Sequence, residues 1–311
     1  MSRPRLVLPN TTHLVTRRCT QRQFLLLPSR RINRFLAFCL ALASERYGIL
    51  VHAVCFLSNH WHVVLTDVSG NLPEFCRWFH EFTAKGINAM RGRKENLWAS
   101  GSYSDVLLLD EAAELGEAVY TLTNPVKDGL VAHGHHWPGL RSKPTDVGKA
   151  FTIRRPPGFF RSDGTVPEEA TLRISKLPSL AHLSDEACAS TLTQAVEAEE
   201  QRLREAVRCK GRSFLGRRGV LAQLWWDRPR GKEPAGRLSP RLACKDRSRR
   251  VAGLKALGEF VRAYRQARRT YREGKRDVVF PPGTYWLRLH VGVHCSDHGS
   301  TWSSLQGAFA G

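Results

Sequence analysis

Ser58-Asn59-His60-Trp61-His62-Val63-Val64-Leu65 is the stretch from which the fold is read. From His52 to Leu65 apolar and β-branched residues dominate and no helical period is present, so His60 and His62 are expected on a strand. Alternate strand residues share a face roughly 6.6 Å apart along the backbone, which lets two imidazoles converge on one divalent ion. Trp61 between them is expected in the core, on the opposite face. Two histidines on a strand are more often ordinary polar-face residues, so the motif needs a partner elsewhere in the chain.

Outward from this stretch, residues 11–18 alternate in the manner of a first strand. Pro28 and Ser29 open a helix in which Ile32, Phe35, Leu36, Cys39, Leu40 and Ala43 recur at three- and four-residue spacing, ending near Tyr47-Gly48. Two antiparallel strands follow, residues 49–57 and 61–67, joined by Ser58-Asn59. Gly70-Asn71-Leu72-Pro73 opens a second helix with Leu72, Phe75, Trp78, Phe79, Phe82 and Ile87 on one face. Residues 96–109 carry a further strand or a pair of short ones. Asp110-Glu111 begins a helix expected to stop near Asn124, because Pro125 disfavours helical geometry in the residue before it. The order β-α-β-β-α-β-α predicts an α+β fold of the split βαβ (ferredoxin-like, RRM-like) kind, an antiparallel sheet with helices on one face and the His pair on a central strand.

After His136-Trp137-Pro138 the composition shifts, and Pro, Gly, Ser and Thr become frequent. Three regions are expected: a compact domain over residues 1–140, a linker or irregular connection over 141–195, and a mostly helical basic extension over 196–311. The chain carries a formal charge of +20 with a pI near 10.2. Residues after 150 hold 30 Lys and Arg against 16 Asp and Glu, so most of the excess lies there. Such charge, dominated by arginine, suits planar contacts to phosphate and predicts a polyanionic partner. No apolar run is long enough to span a bilayer and no signal peptide follows the basic start, so the cytoplasm is the expected location and no membrane partner is expected. The eight cysteines are scattered without a Cys-x-x-Cys pair, which argues against a disulfide framework or a cysteine zinc site.

In the second half, residues 197–209 read as an amphipathic helix followed by a loop containing Arg212, Arg217 and Arg218. Residues 221–226 form a short apolar segment. A long helix over about residues 244–274 places Val251, Leu254, Leu257, Val261, Tyr264 and Tyr271 on one stripe. Its other faces carry Arg249, Arg250, Arg262, Arg265, Arg268, Arg269 and Arg272, which are expected to contact nucleic acid. Residues 278–288 read as a turn and a strand. His133, His135 and His136 fall in a Gly- and Pro-containing loop and are expected to be solvent-exposed. His290, His294, Cys295 and His298 have a spacing that zinc could use but lack a paired second half.

The partner of the His pair is Tyr120-Thr121-Leu122-Thr123-Asn124-Pro125-Val126-Lys127-Asp128-Gly129-Leu130-Val131. Tyr120 and Asn124 lie four apart, hence on one helix face, where a phenol and an amide oxygen can approach the same ion. Two imidazoles and an amide leave a divalent metal with open positions for a phosphate oxygen, and suit magnesium or manganese alike. A tyrosine can attack a phosphodiester if a base, metal or positive surroundings assist it. No Gly-x-x-x-x-Gly-Lys-Ser/Thr loop is present, so no nucleotide cofactor is expected.

Asn-His-Trp-His-Val-Val followed some sixty residues later by Tyr-x-x-x-Asn-Pro-Val-Lys-x-Gly-Leu-Val resembles the single-tyrosine HUH transposases, specifically the REP-associated tyrosine type with its IS200-like transposase domain, over about residues 10–140. The resemblance implies that His60, His62 and Asn124 are metal ligands and that Tyr120 is the nucleophile that becomes linked to a DNA 5′-phosphate. It also implies an endonuclease and strand transferase acting on single-stranded DNA near palindromic hairpins, with Arg17, Arg18 and Lys127 as further cations on that DNA. Thr121 stands where the family usually has an aliphatic residue, and Trp61 where it commonly has Val or Ile. The alternative is a non-catalytic, domesticated DNA-binding protein or repressor retaining the fold. Monomer and homodimer are equally compatible with the sequence.

Overall fold

The computed structural model describes residues 4–161, 163–231 and 240–296. Thr11–Arg18 forms β1, Arg30–Tyr47 α1, Ile49–Phe56 β2, His60–Asp67 β3, Leu72–Arg91 α2, Ser104–Leu108 β4 and Glu111–Lys127 α3. The local signals account for these bounds. Ser29 caps α1 by accepting from the Ile32 amide at 3.2 Å, and Gly48 closes it at a φ of 66°, where a side chain would be strained. The Asp67 carboxylate accepts from the amides of Asn71 and Leu72 at 2.8 and 2.7 Å, tying the end of β3 to the start of α2. Asp110 caps α3 in the same way through Ala113.

The main sheet has the order β2-β3-β1-β4-β7, antiparallel except for the last pair, in which the two-residue strand β7 (Leu242–Ala243) runs parallel to β4. The class is therefore α+β with a mixed sheet. The crossover helices α1 and α2 pack on each other and on one face, as the split βαβ order predicts. Gly86 of α2 permits that approach, since a Cβ there would enter the ring of Phe35 on α1. The expectation that all helices share this face fails for α3. Trp61 of β3 stacks on Phe56 and meets Phe79 of α2, whereas its neighbour His62 meets Tyr120 and Asn124 of α3. Successive strand residues point to opposite faces, so α3 lies across the sheet from α2. A second departure is the end of α3, which continues past Pro125 to Lys127. Pro125 stands in the last turn, where it costs the helix a single bond, that to the Thr121 carbonyl, and the adjacent Leu122 carbonyl accepts from the Arg141 guanidinium at 2.7 Å.

Much of residues 141–161 and 163–195, expected as a linker or irregular connection, packs on the rest of the chain. Ser142 pairs with Val54, and Ser175 with Val51, so both flank the outer edge of β2. Between them β5 (Ala150–Arg154) and β6 (Glu169–Arg173) form a hairpin against α1. Ala170, Leu172, Ile174 and Leu177 are buried in the same core as β1–β3. Here hydrophobic residues hidden among Pro, Gly and Ser outweigh a composition that suggested irregularity. Helix α4 (Asp185–Cys209) packs on α3 and contributes Cys188, Leu192 and Val196 to that core.

Beyond it, α5 covers Gly216–Leu221 and α6 covers Arg247–Arg272. The buried stripe of α6 is Gly253, Ala256, Phe260 and Ala267, while Val251 and Leu254 of the expected stripe are exposed. Small residues win because Leu109 and Leu242 already fill the space beside Gly253. Residues 286–288, expected at the end of a strand, lie instead in the short helix α7 (Trp286–Val291). No helix among the described residues is long and apolar enough to cross a membrane.

Candidate nucleic-acid cleavage site

β3 and α3 bring together the residues that the sequence set sixty positions apart. The His60 and His62 rings lie 4.9 Å apart, and the Tyr120 ring meets His62 edge-on at 5.3 Å. The Asn124 amide nitrogen stands 3.2 Å from His62 Nε2. Lys127, one turn further on, donates to the Tyr120 oxygen at 3.1 Å and lies over the same ring at 4.2 Å.

Asn59 orients His60. Its Oδ1 lies 2.6 Å from His60 Nδ1 and its amide donates to the Arg22 carbonyl at 3.1 Å. A carbonyl oxygen only accepts, so His60 carries its proton on Nδ1 and presents an Nε2 lone pair to the site. Burial, then the charges of Lys127 and Arg18, push His60 down to about 4. Burial, then His60 and Lys127, hold His62 well below the ordinary histidine value. Both are therefore neutral at physiological pH, the form that can ligate a cation.

No cluster of three His, Cys, Asp or Glu side chains that could hold an ion occurs among the described residues. The set here is instead two neutral imidazoles and an amide, and His62 Nδ1 is buried without a partner. That donor set, two imidazole nitrogens and one amide oxygen, fits a divalent ion with positions left for phosphate oxygens.

A cleft of about 600 Å³ opens in front of these residues, lined in part by Thr16, Arg18, Arg22, Asn59, His60, His62, Lys127, Arg212, Gln223 and Pro229, with Asp128 as its acidic member. Arg22 and Gln21 hold left-handed φ of 61° and 49°, a strained turn pinned by Asn59 and by the bond from the Arg22 guanidinium to the Gly231 carbonyl at 2.8 Å.

The chain has been compared with known proteins. No family model and no curated relative matches it. It is similar in structure to a REP-associated tyrosine transposase. That solved structure, bound to a REP hairpin, overlaps it with a TM-score of 0.40 at 16% identity, covering 54% of this chain and 97% of that one. A Deinococcus radiodurans R1 protein provisionally named a transposase overlaps it with a TM-score of 0.29 at 15% identity, covering 37% and 92%. At these values the overlaps carry no argument about chemistry, which rests on the residues above.

The expected cations scatter. Arg17, Arg18, Lys127 and Arg212 line the cleft. Arg17 opposes Trp61 in the β1–β3 register, and its guanidinium lies 5.7 Å from the Trp98 ring. Arg217 and Arg218 are exposed on α5. Arg262, Arg265 and Arg269 line an open depression on the solvent face of α6, Arg250 and Arg272 are also exposed, and Arg249 and Arg268 are half-buried. His133, His135 and His136 cluster with ring separations of 4.2 to 5.4 Å, and His133 is held by Arg204 and the buried Glu200. Of the histidines near the C-terminus, His298 lies outside the described residues. Sequence reasoning missed Asn59, Arg22 and Gln223. Only Asn59 had a signal, its place in the two-residue turn before His60.

Proposed function

We propose that the chain is a metal-dependent endonuclease and strand transferase of the transposase type, acting on single-stranded DNA beside palindromic hairpins, with Tyr120 as nucleophile. The observation that carries this reading is the Lys127 ammonium 3.1 Å from the Tyr120 oxygen, with Lys127, His60 and His62 lining one cleft and Asn124 3.2 Å from His62. The Tyr120 oxygen loses its proton and bonds to phosphorus, and the bond from phosphorus to the upstream 3′ oxygen breaks. That oxygen takes up a proton as a free 3′-hydroxyl, and the downstream strand stays on Tyr120 through its 5′-phosphate. The phosphotyrosine remains an activated ester, so later attack by a 3′-hydroxyl rejoins strands without a nucleotide cofactor.

His60, His62 and Asn124 would hold magnesium or manganese, which neutralises charge on the phosphate oxygens when bound. Lys127 sets a positive charge beside the attacking oxygen, where negative charge develops. Arg18, Arg22 and Arg212 supply a cationic track for the strand. The exposed arginines of α6 are assigned to phosphates of the hairpin stem.

The test is nicking of a hairpin oligonucleotide with a single-stranded flank, in manganese. Wild type is expected to nick the flank; Tyr120→Phe, His60→Ala and wild type with chelator are not. Binding without nicking by wild type would overturn this reading in favour of a DNA-binding protein or repressor.

A further inference from the structure

Residues 215–231 form a strap of which Gln223 and Pro229 line the cleft. It is fixed at one end by backbone bonds from Leu215 and Gly216 to the Gly129 and Leu130 carbonyls. Midway Val220 is buried with Cys55, Leu57, Val131 and Trp137. At the other end Phe24 donates to the Asp227 carbonyl at 2.9 Å, and the Gln23 side chain to the Trp226 carbonyl at 3.3 Å.

Two adjacent tryptophans on this strap have opposite fates. Trp225 packs on the main core with the Arg91 guanidinium 5.5 Å from its ring. Trp226 meets it edge-on at 5.2 Å and stays 52% exposed. Because the backbone is pinned on both sides of it, this indole is held out rather than free to tuck in. An exposed indole leaves a large apolar surface in water, which is unfavourable unless something covers it.

What covers it follows from its neighbours. Gln223 and Pro229, each three residues away, line the cleft, so the Trp226 Cα lies within about 11 Å of the Cα atoms of two wall residues. The same cleft carries Arg18, Arg22 and Arg212. A rigid exposed aromatic beside a cationic track matches the chemistry of a single strand, with phosphates on the arginines and a base on the ring.

We propose that Trp226 is a stacking platform for one unpaired base of the DNA strand entering the cleft, and so fixes which phosphate reaches Tyr120. The proposal rests on the DNA-cleavage reading for the identity of its ligand.

The test uses the full chain in a Tyr120→Phe background without metal, so that nicking plays no part. Affinity is measured by fluorescence anisotropy for three labelled probes: a hairpin with a single-stranded flank, the same probe with one abasic site walked along the flank, and a blunt hairpin. Trp226→Ala is expected to weaken binding of the flanked probe about tenfold and Trp226→Phe much less, with the blunt hairpin unaffected. One abasic position should weaken the Trp226-containing chain by a similar factor and leave Trp226→Ala unchanged. Equal affinities with and without the indole, or an equal loss on the blunt hairpin, would overturn the proposal. If the Trp226 effect holds while wild type never nicks DNA, the cleavage reading fails and the platform stands.

Discussion

At the scale of single residues, Asn59 links the metal-ligand candidates to the rim of the cleft. One side chain fixes the tautomer of His60 and holds the carbonyl of the strained Arg22. Other histidines of the sheet serve stability instead. His52 lies within 3.1 Å of the Ser175 carbonyl and 2.8 Å of the Thr66 hydroxyl, and burial pushes it down to about 4. His13, bonded to Thr11, is pushed to about 4 by burial and then by the Arg5 charge. An unfolded histidine takes its proton near 6.5, so the unfolded chain binds more protons than the folded one between about pH 6.5 and pH 4. The stability from keeping these rings neutral is complete above that window. It falls by about 1.4 kcal/mol per pH unit for each ring as acid is added. Urea unfolding at pH 7, 6, 5 and 4.5 should show this decline, and His52→Gln should flatten it by about one proton; an unchanged slope in that variant would contradict the assignment.

At the scale of elements, strand signals were the most legible. Residues 11–18 form β1 over the expected residues, and Trp61 and His62 take opposite faces as the pleat requires. The side of the sheet taken by α3 was not legible, because apolar residues lie on several sides of that helix and only tertiary packing chooses. The α6 stripe was misread for a related reason. Glycine and alanine at 253, 256 and 267 carry no hydrophobic signal, yet they allow close approach, and Val251 and Leu254 are left in solvent. The solvent face of α6 then presents Arg262, Arg265 and Arg269 to the proposed hairpin stem. Replacing these three with Ala is expected to flatten the slope of log K against log salt by about 2.7 on a duplex stem, from about 0.9 per phosphate contact. A slope equal to wild type would remove α6 from the DNA interface.

At the scale of the whole molecule, the second half of the chain completes the first. Asp110, the cap of α3, accepts from the Lys245 and Asp246 amides and from the Cys244 thiol, so the start of α6 is fastened to the helix that carries Tyr120. β7 extends the sheet beside β4, α4 backs α3, and the 215–231 strap walls the cleft. The expected connection over residues 141–195 drew on composition, which does not register long-range packing of scattered Leu, Val and Ile. The pair of motifs was legible because its spacing is local within each element. The walls of the cleft were not, because they come from distant loops, such as those joined by the Arg22 bond to the Gly231 carbonyl 209 residues on.

The central claim is that Tyr120 makes a covalent bond to DNA. Wild type incubated with manganese and a flanked hairpin labelled at its 3′ end, then denatured and digested with trypsin, should yield label on the peptide containing Tyr120, with the added mass of a 5′-phosphate-linked nucleotide on that residue. Label that forms on another residue, or that persists in Tyr120→Phe, would contradict the account.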